Sequence, residues 1–222
     1  MKKSLFLLTM ISVAYATTTA AQDRSFYAGL GIGRTSTTVT ETSRQEFLDD
    51  IQSKGFNSLS GFQSGSNESD TAWKIYGGYR FTTNVAAEFF YANLGKFSNS
   101  ASGTAAPGPS SIKLSSDLKI TGFGAAALIG IPLGDQWNVF AKPGLLYWDA
   151  KLTSTLTQDS ATNSGSLDKK GTSPSLGVGT DYAFTDRFSA RFEVERFFNV
   201  GDKNTTDKSN VNIFALSVQF TP

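Results

Sequence analysis

Between residues 172 and 220 the side-chain character alternates with a period of two in three successive runs, and this constrains the fold more than any other feature of the chain. In the first run Leu176, Val178, Thr180, Tyr182 and Phe184 share one parity, and Ser173, Ser175, Gly177, Gly179, Asp181 and Ala183 the other. After the tight turn Thr185-Asp186-Arg187, Phe188, Ala190, Phe192 and Val194 stand opposite Ser189, Arg191, Glu193 and Glu195. The third run sets Phe214, Leu216, Val218 and Phe220 against Ile213, Ala215, Ser217 and Gln219. Period two is the repeat of a β-strand, with successive side chains on opposite faces of a sheet. Which face is inside is not decided by alternation alone.

The N-terminus supplies the compartment. Lys2 and Lys3 precede an apolar run from Leu5 to Val13, then small residues at Ala14-Tyr15-Ala16 and Thr19-Ala20-Ala21. This is the layout of a cleaved secretory signal, expected over residues 1–21, and it leaves residues 22–222 as one domain. No window approaches the ~20 continuous apolar residues of a spanning helix. Any passage through a membrane is therefore by strands. The chain has 222 residues, no cysteine, no histidine and a net charge of +1. An exported domain without disulfides relies on its core or on closed hydrogen bonding, which a barrel provides. The charge balance gives no argument for nucleic acid. The lack of histidine removes the commonest general base and the commonest metal ligand.

In chain order, the first strand covers residues 25–37, with Phe26, Ala28, Leu30 and Ile32 outward. Its Gly29-x-Gly31-x-Gly33 is not followed by a helical pattern, so a phosphate-binding reading is set aside. Residues 38–70 read as a long polar loop, with a short helix over residues 44–53. The second strand puts Trp73, Ile75, Tyr79 and Phe81 outward, with Lys74, Tyr76 and Arg80 inward. The third has Val85, Ala87, Phe89 and Tyr91 outward, with Glu88 inward. Residues 98–116 read as a second loop. The fourth strand, residues 118–131, faces Phe123, Ala125, Ala127, Ile129 and Ile131 outward, with Gly122, Gly124, Ala126 and Leu128 inward. The fifth covers residues 137–152, with Lys142 inward and Pro143 beside Gly144 predicting a bulge. Residues 153–171 read as a third loop.

Eight strands result, with short connections near residues 83, 134 and 186 alternating strictly with long ones. That one-sided asymmetry belongs to outer-membrane barrels. About ten residues at ~3.3 Å rise and ~45° tilt span roughly 23 Å, close to the apolar band such barrels present. Aromatic residues on the outward parity cluster near strand ends, as interfacial girdles do. The expected fold is all-β: an eight-stranded antiparallel up-and-down transmembrane β-barrel. The competing reading is a soluble, lipocalin-like cup with the two faces exchanged.

Several segments resemble the OmpA-type outer-membrane β-barrel domain family. Residues 190–196 (Ala-Arg-Phe-Glu-Val-Glu-Arg) with Asn199-Val-Gly-Asp202 are similar to its seventh strand. Gly177-Val-Gly-Thr-Asp-Tyr-Ala183 is similar to its sixth, Lys74-Ile-Tyr-Gly-Gly-Tyr79 to its second, and residues 212–220 to its last. The resemblance covers essentially the whole mature chain. It implies a lumen charge network at Glu88, Asp181, Arg191 and Glu193, with Lys142 in a strand where the family also carries a base. It also implies an aromatic assembly signal at the C-terminus, here Phe220, although Thr221-Pro222 follow it. A further inner lysine of the family falls on Leu128, so the network is rewired. The resemblance does not extend to a peptidoglycan-binding domain.

Taken from parity alone, Lys74, Arg80, Lys142 and Arg191 meet Glu88, Asp181, Glu193 and Glu195 inside a barrel only wide enough for its own side chains. The expected role is a structural, envelope-integrity barrel plugged by these charges, with surface loops free to make contacts. The alternative is a narrow gated pore that re-pairs the same charges. For catalysis a Ser–Lys dyad or a carboxylate pair, for instance Glu193 with Glu195, is what remains to weigh, and those two are simply inner residues of one strand. No enzyme activity, cofactor or metal is expected. The expected partners are outer-membrane lipid and lipopolysaccharide, the outer-membrane assembly machinery, and host surfaces or phage through the loops. The expected form is a monomer in the outer membrane of a Gram-negative bacterium, without nucleic-acid binding.

Overall fold

The alternation becomes strand along most of the chain in the computed structural model, which describes residues 25–37, 60–67, 69–105, 110–201 and 209–222. The signal segment and the expected helix over residues 44–53 lie outside the described residues. The strands are β1 (Ser25–Thr37), β2 (Ser60–Asn67), β3 (Ser69–Thr82), β4 (Val85–Ala105), β5 (Ser110–Leu133), β6 (Trp137–Gln158), β7 (Ala161–Ala183), β8 (Phe188–Val200) and β9 (Ser209–Phe220). Every pairing is antiparallel, and β1 joins both β3 and β9. The β4–β5 ladder closes the ring. Strand β2 pairs only with the upper part of β4 and lies one residue ahead of β3 in the chain. The ring is therefore eight-stranded, with its second staves split in two.

Sidedness follows the predicted parity. Phe26, Leu30, Ile32, Phe89, Phe123, Ile129, Val178, Leu216 and Val218 are exposed on the outer surface, Phe89 at 71%. The inward positions of the same strands are buried, including Lys74, Glu88, Lys142, Arg191, Glu193 and Glu195. A soluble cup would bury the first set, so the cup reading fails. Aromatic rings band the outer surface at two levels. Trp73–Tyr91 at 5.4 Å and Tyr91–Phe123 at 4.8 Å form the upper band, and Tyr147 is the cross-strand partner of Phe123. Phe26–Tyr79 at 4.7 Å, Trp137–Tyr182 at 4.7 Å and Phe188–Phe220 at 5.2 Å form the lower one. About ten residues of β6 separate Trp137 from Tyr147, or roughly 23 Å along the barrel axis, which matches the apolar thickness of an outer membrane.

The short turns sit at the lower band. Thr82 Oγ1 accepts hydrogen bonds from the Asn84 and Val85 amides, and Thr185 Oγ1 from those of Arg187 and Phe188. The long connections on the opposite side differ from expectation. Residues 98–105 and 110–116 are strand, and β6 and β7 run on through residues 153–171 to a tight turn at Asp159, whose φ is 52°. Residues 60–67 of the first expected loop are strand β2. The upper parts of β2, β4, β5, β6 and β7 thus form a β-wall standing above one side of the ring.

One bulge separates barrel from wall on β4, where the β4–β5 register shifts by one residue between Asn93 and Lys96. Gly95 has φ 87° there, and a Cβ on it would stand 2.7 Å from that of Asp70. The Asp70 carboxylate accepts the Lys96 amide at 2.6 Å. Because one extra residue inverts the side-chain order, Leu94 and Phe97 are both buried on the inner side. The bulge expected at Pro143 is absent. The β5–β6 ladder lapses at two positions, resuming with Ala126 opposite Gly144, in unchanged register, while Pro143 pairs with Leu176 on the other side. A missing donor costs a ladder bond without shifting the strand.

Placing a lysine at Val178, midway between the bands, is expected to destabilise the folded barrel by about 2–4 kcal/mol, against about 0–1 kcal/mol for Thr172→Lys at the upper band. Urea titrations of the protein folded in phospholipid vesicles measure both.

Candidate functional site

The lumen at mid-membrane is an ionic layer built from five strands. Lys142 Nζ of β6 lies 2.5 Å from Glu88 Oε1 of β4 and 3.4 Å from Glu193 Oε2 of β8. Lys74 Nζ of β3 pairs with Glu193 Oε1 and lies 3.3 Å from Glu195 Oε2. Arg191 donates from Nη1 to Glu88 Oε2 at 2.6 Å and from Nε to Asp181 Oδ1 of β7 at 2.7 Å. These side chains are essentially removed from solvent.

Neutral groups complete the layer. Gln219 Oε1 accepts from Arg191 Nη2 at 2.9 Å, Ser175 donates to Glu195 at 3.0 Å, and the Tyr27 hydroxyl donates to Glu88 at 3.3 Å. The Arg191 guanidinium lies over the rings of Tyr76 and Phe140, 4.8 and 4.9 Å from their centres, and Lys142 lies 4.9 Å from that of Phe90. Inner-facing glycines make room for these rings. A Cβ on Gly78 would overlap the Tyr27 ring, one on Gly29 the Tyr76 ring, and one on Gly124 the Phe90 ring. Gly31 and Gly33 of β1 admit instead the Ser217 side chain and the Phe214 backbone of β9, so close packing accounts for the Gly29-x-Gly31-x-Gly33 run without any nucleotide.

Seven of the eight charges expected from parity meet in this layer. Arg80 does not: it is half-buried nearer the lower end and enters none of the ion pairs. The layer holds three cations and four carboxylates rather than four of each. Leu128, where the resemblance implied a lysine, is buried and apolar. No titratable residue of β5 enters the network. Glu193 and Glu195 are both engaged by lysines.

A second layer, above the ions, was not recognised from sequence. Phe90, Leu94, Leu146, Trp148, Phe197, Val211 and Ile213 are buried there, with Phe90 and Phe197 rings 6.4 Å apart. Trp148 Nε1 donates to Ser173 Oγ at 2.9 Å, which in turn donates to the Asn199 carbonyl at 3.1 Å. The signal was present, since all seven fall on the inner parity, on the upper side of Glu88, Lys142, Glu195 and Gln219 in their respective strands.

The wall exchanges the polarity of its two faces relative to the barrel. Its inner face carries the cross-strand row Phe97, Leu118, Leu152 and Leu167. Its outer face carries serines, threonines and charges, including Lys96–Asp117 at 3.3 Å and Lys170–Asp149 at 3.1 Å. A hydrogen bond from the Ser98 hydroxyl at 2.7 Å, with Lys96 alongside, holds the Asp117 carboxyl below the usual carboxylate range.

A closed antiparallel ring with a lipid-facing apolar band, aromatic girdles and a charged interior defines an outer-membrane β-barrel. Residues 4–221 match the outer membrane protein beta-barrel domain family, and the chain belongs to it. It is a protein of the outer membrane of a Gram-negative bacterium. Outer membrane protein A of Salmonella typhi is 25% identical over 207 residues, covering 92% of this chain and 51% of that protein. Outer membrane protein A of Shigella dysenteriae is 25% identical over 209 residues, with the same shares. The chain spans about half the length of the curated relatives it matches. The crystal structure of Neisserial surface protein A aligns with a TM-score of 0.52 and 12% identity, covering 88% of this chain and 96% of that one. That likeness concerns the fold.

Replacing Arg191 with Met leaves Glu88 and Asp181 buried without their guanidinium, with an expected loss of about 3–5 kcal/mol. Adding Glu88→Gln and Asp181→Asn is expected to recover part of it, because the stranded charges go with it. Urea midpoints of the folded, unboiled species provide the comparison.

Proposed function

We propose that this protein is a closed, rigid barrel that contributes to envelope integrity and holds an extracellular β-wall for contacts outside the cell. The observation that supports this most is the succession of two filled layers across the lumen, the ionic one and then the apolar one of Phe90, Leu146, Phe197 and Ile213. Rearranging the ions alone does not open such a lumen, because the rings above them have no charge to re-pair.

The same reading makes the protein a monomer without catalytic activity, in which Glu193 and Glu195 brace the cylinder. Phe220, which faces outward against Phe188 at the lower end of the last strand β9, serves as an aromatic signal to the assembly machinery. Loop-borne contacts with host surfaces or phage fall to the wall, whose half-exposed Leu156 and Leu167 stand above the membrane among serines and threonines. A second reading, a narrow gated pore, draws on the number of charges in the lumen.

Planar-bilayer recording of the purified, folded protein separates the two. The plug reading expects a silent wild type that migrates as a compact species when unboiled, and steady leak only when both layers are cut, as in Arg191→Ala with Phe90→Ala and Phe197→Ala. Steady wild-type openings whose conductance changes with Arg191→Ala or Glu193→Ala overturn it in favour of the pore.

A further inference from the structure

On the outer face of the wall three lysines stand side by side. Lys96 of β4 is the cross-strand partner of Lys119 of β5, which is in turn the partner of Lys151 of β6. All three are exposed. Like charges directly opposite one another in adjacent strands are unfavourable, with Cβ atoms only about 4.5–5.5 Å apart. The neighbouring acids do not relieve this row evenly. Asp117 is taken by Lys96 and Asp149 by Lys170, while Asp168 is opposite Lys151 without forming an ion pair with it. Among the described residues Lys119 and Lys151 enter no ion pair.

Their height is set by the strands. Lys119 is four residues above Phe123 on β5, and Lys151 four above Tyr147 on β6, each on the parity that faces lipid lower down. Four residues on a strand tilted ~45° rise about 9 Å, which carries the ammonium groups from the aromatic girdle into the head-group layer. We propose that Lys119 and Lys151, flanked by Lys96, form a binding site for the phosphate groups of an outer-leaflet glycolipid. A membrane anion is favoured over a soluble one because the row looks sideways along the bilayer and not up from the top of the wall. The site does not depend on whether the lumen is closed.

The test uses the full chain in nanodiscs of neutral lipid, titrated with bisphosphorylated lipid A and with its dephosphorylated form. Native mass spectrometry gives the affinities and thermal melting the stabilisation, which rises with bound ligand. The wild type is expected to prefer the phosphorylated lipid at least tenfold and to melt higher with it. Lys119→Gln/Lys151→Gln is expected to lose that preference while melting no lower than the wild type without ligand, since a repulsion has been removed. Lys113→Gln, on the same face but higher on β5, is expected to keep it. The single Lys119→Gln, with an intermediate loss, serves if the double variant folds poorly. Retention of the tenfold preference in both lysine variants overturns the proposal. So does lysine-dependent binding of a soluble sulfated oligosaccharide in a protein that shows no phosphate preference among lipids.

Discussion

A strand in hydrocarbon has no water to satisfy its amides and carbonyls, so each must find another strand, and a sheet with edges does not survive there. The β4–β5 pairing that closes the ring is the contact on which the rest depends. Closure is also what creates a lumen, and with eight staves that lumen is just wide enough to be filled by side chains. Once the ring is closed, the inward residues are sealed together whatever their chemistry. Charged residues on the inner parity must then find their partners inside the lumen, and bulky rings need glycines facing them. Both are seen, in the pairs around Glu88, Lys142 and Arg191 and in Tyr27 over Gly78.

Above the membrane the requirement is inverted. Water reaches the outer surface of the wall, so Lys119, Lys151 and the serines and threonines take positions that Phe123 and Tyr147 hold lower on the same strands. The inner side then collects Phe97, Leu118 and Leu152. Period two persists along the full length of β5 and β6 while the meaning of each parity changes.

That change explains which parts of the structure were legible. Strands β7, β8 and β9 within the membrane combine strong outward hydrophobicity with charged, polar or small residues on the other side, and their parity could be read residue by residue. The extensions over residues 98–105, 110–116 and 153–171 read as loops because serine, threonine and glycine occupy both faces and few large apolar residues, Ile112, Leu114, Leu156 and Leu167, keep the beat. The Gly95 bulge further broke the count on β4. Pro143 misled in the opposite sense, since one missing donor was absorbed by a lapse in the ladder. Of the expected lumen charges, Arg80 was misplaced because parity gives the side of the sheet but not the height, and height separates it from the ionic layer. The apolar upper layer was overlooked for the converse reason: buried aromatic and aliphatic residues on the inner parity looked unremarkable beside the charges.

The ionic layer is better understood as a constraint on register than as a source of stability. A well-packed apolar set of similar volume would serve stability equally well, because desolvation offsets most of what a buried ion pair gains. The partners here come from strands far apart in the chain: Glu88 on β4 meets Lys142 on β6 and Arg191 on β8, 54 and 103 residues away. No local hairpin can satisfy them. They are paired only when the ring has closed with every strand in place, and a one-residue slip of β8 would turn Arg191, Glu193 and Glu195 into the lipid, at about 2–4 kcal/mol for a cation at the midplane. Phe192 and Val194 would simultaneously enter the lumen, leaving Glu88 and Lys142 without their neighbours. The charges therefore penalise the alternatives to the native ring more than they stabilise the ring itself. A lumen of leucines would have packed, but it would have left β8 little reason to prefer one register over the next.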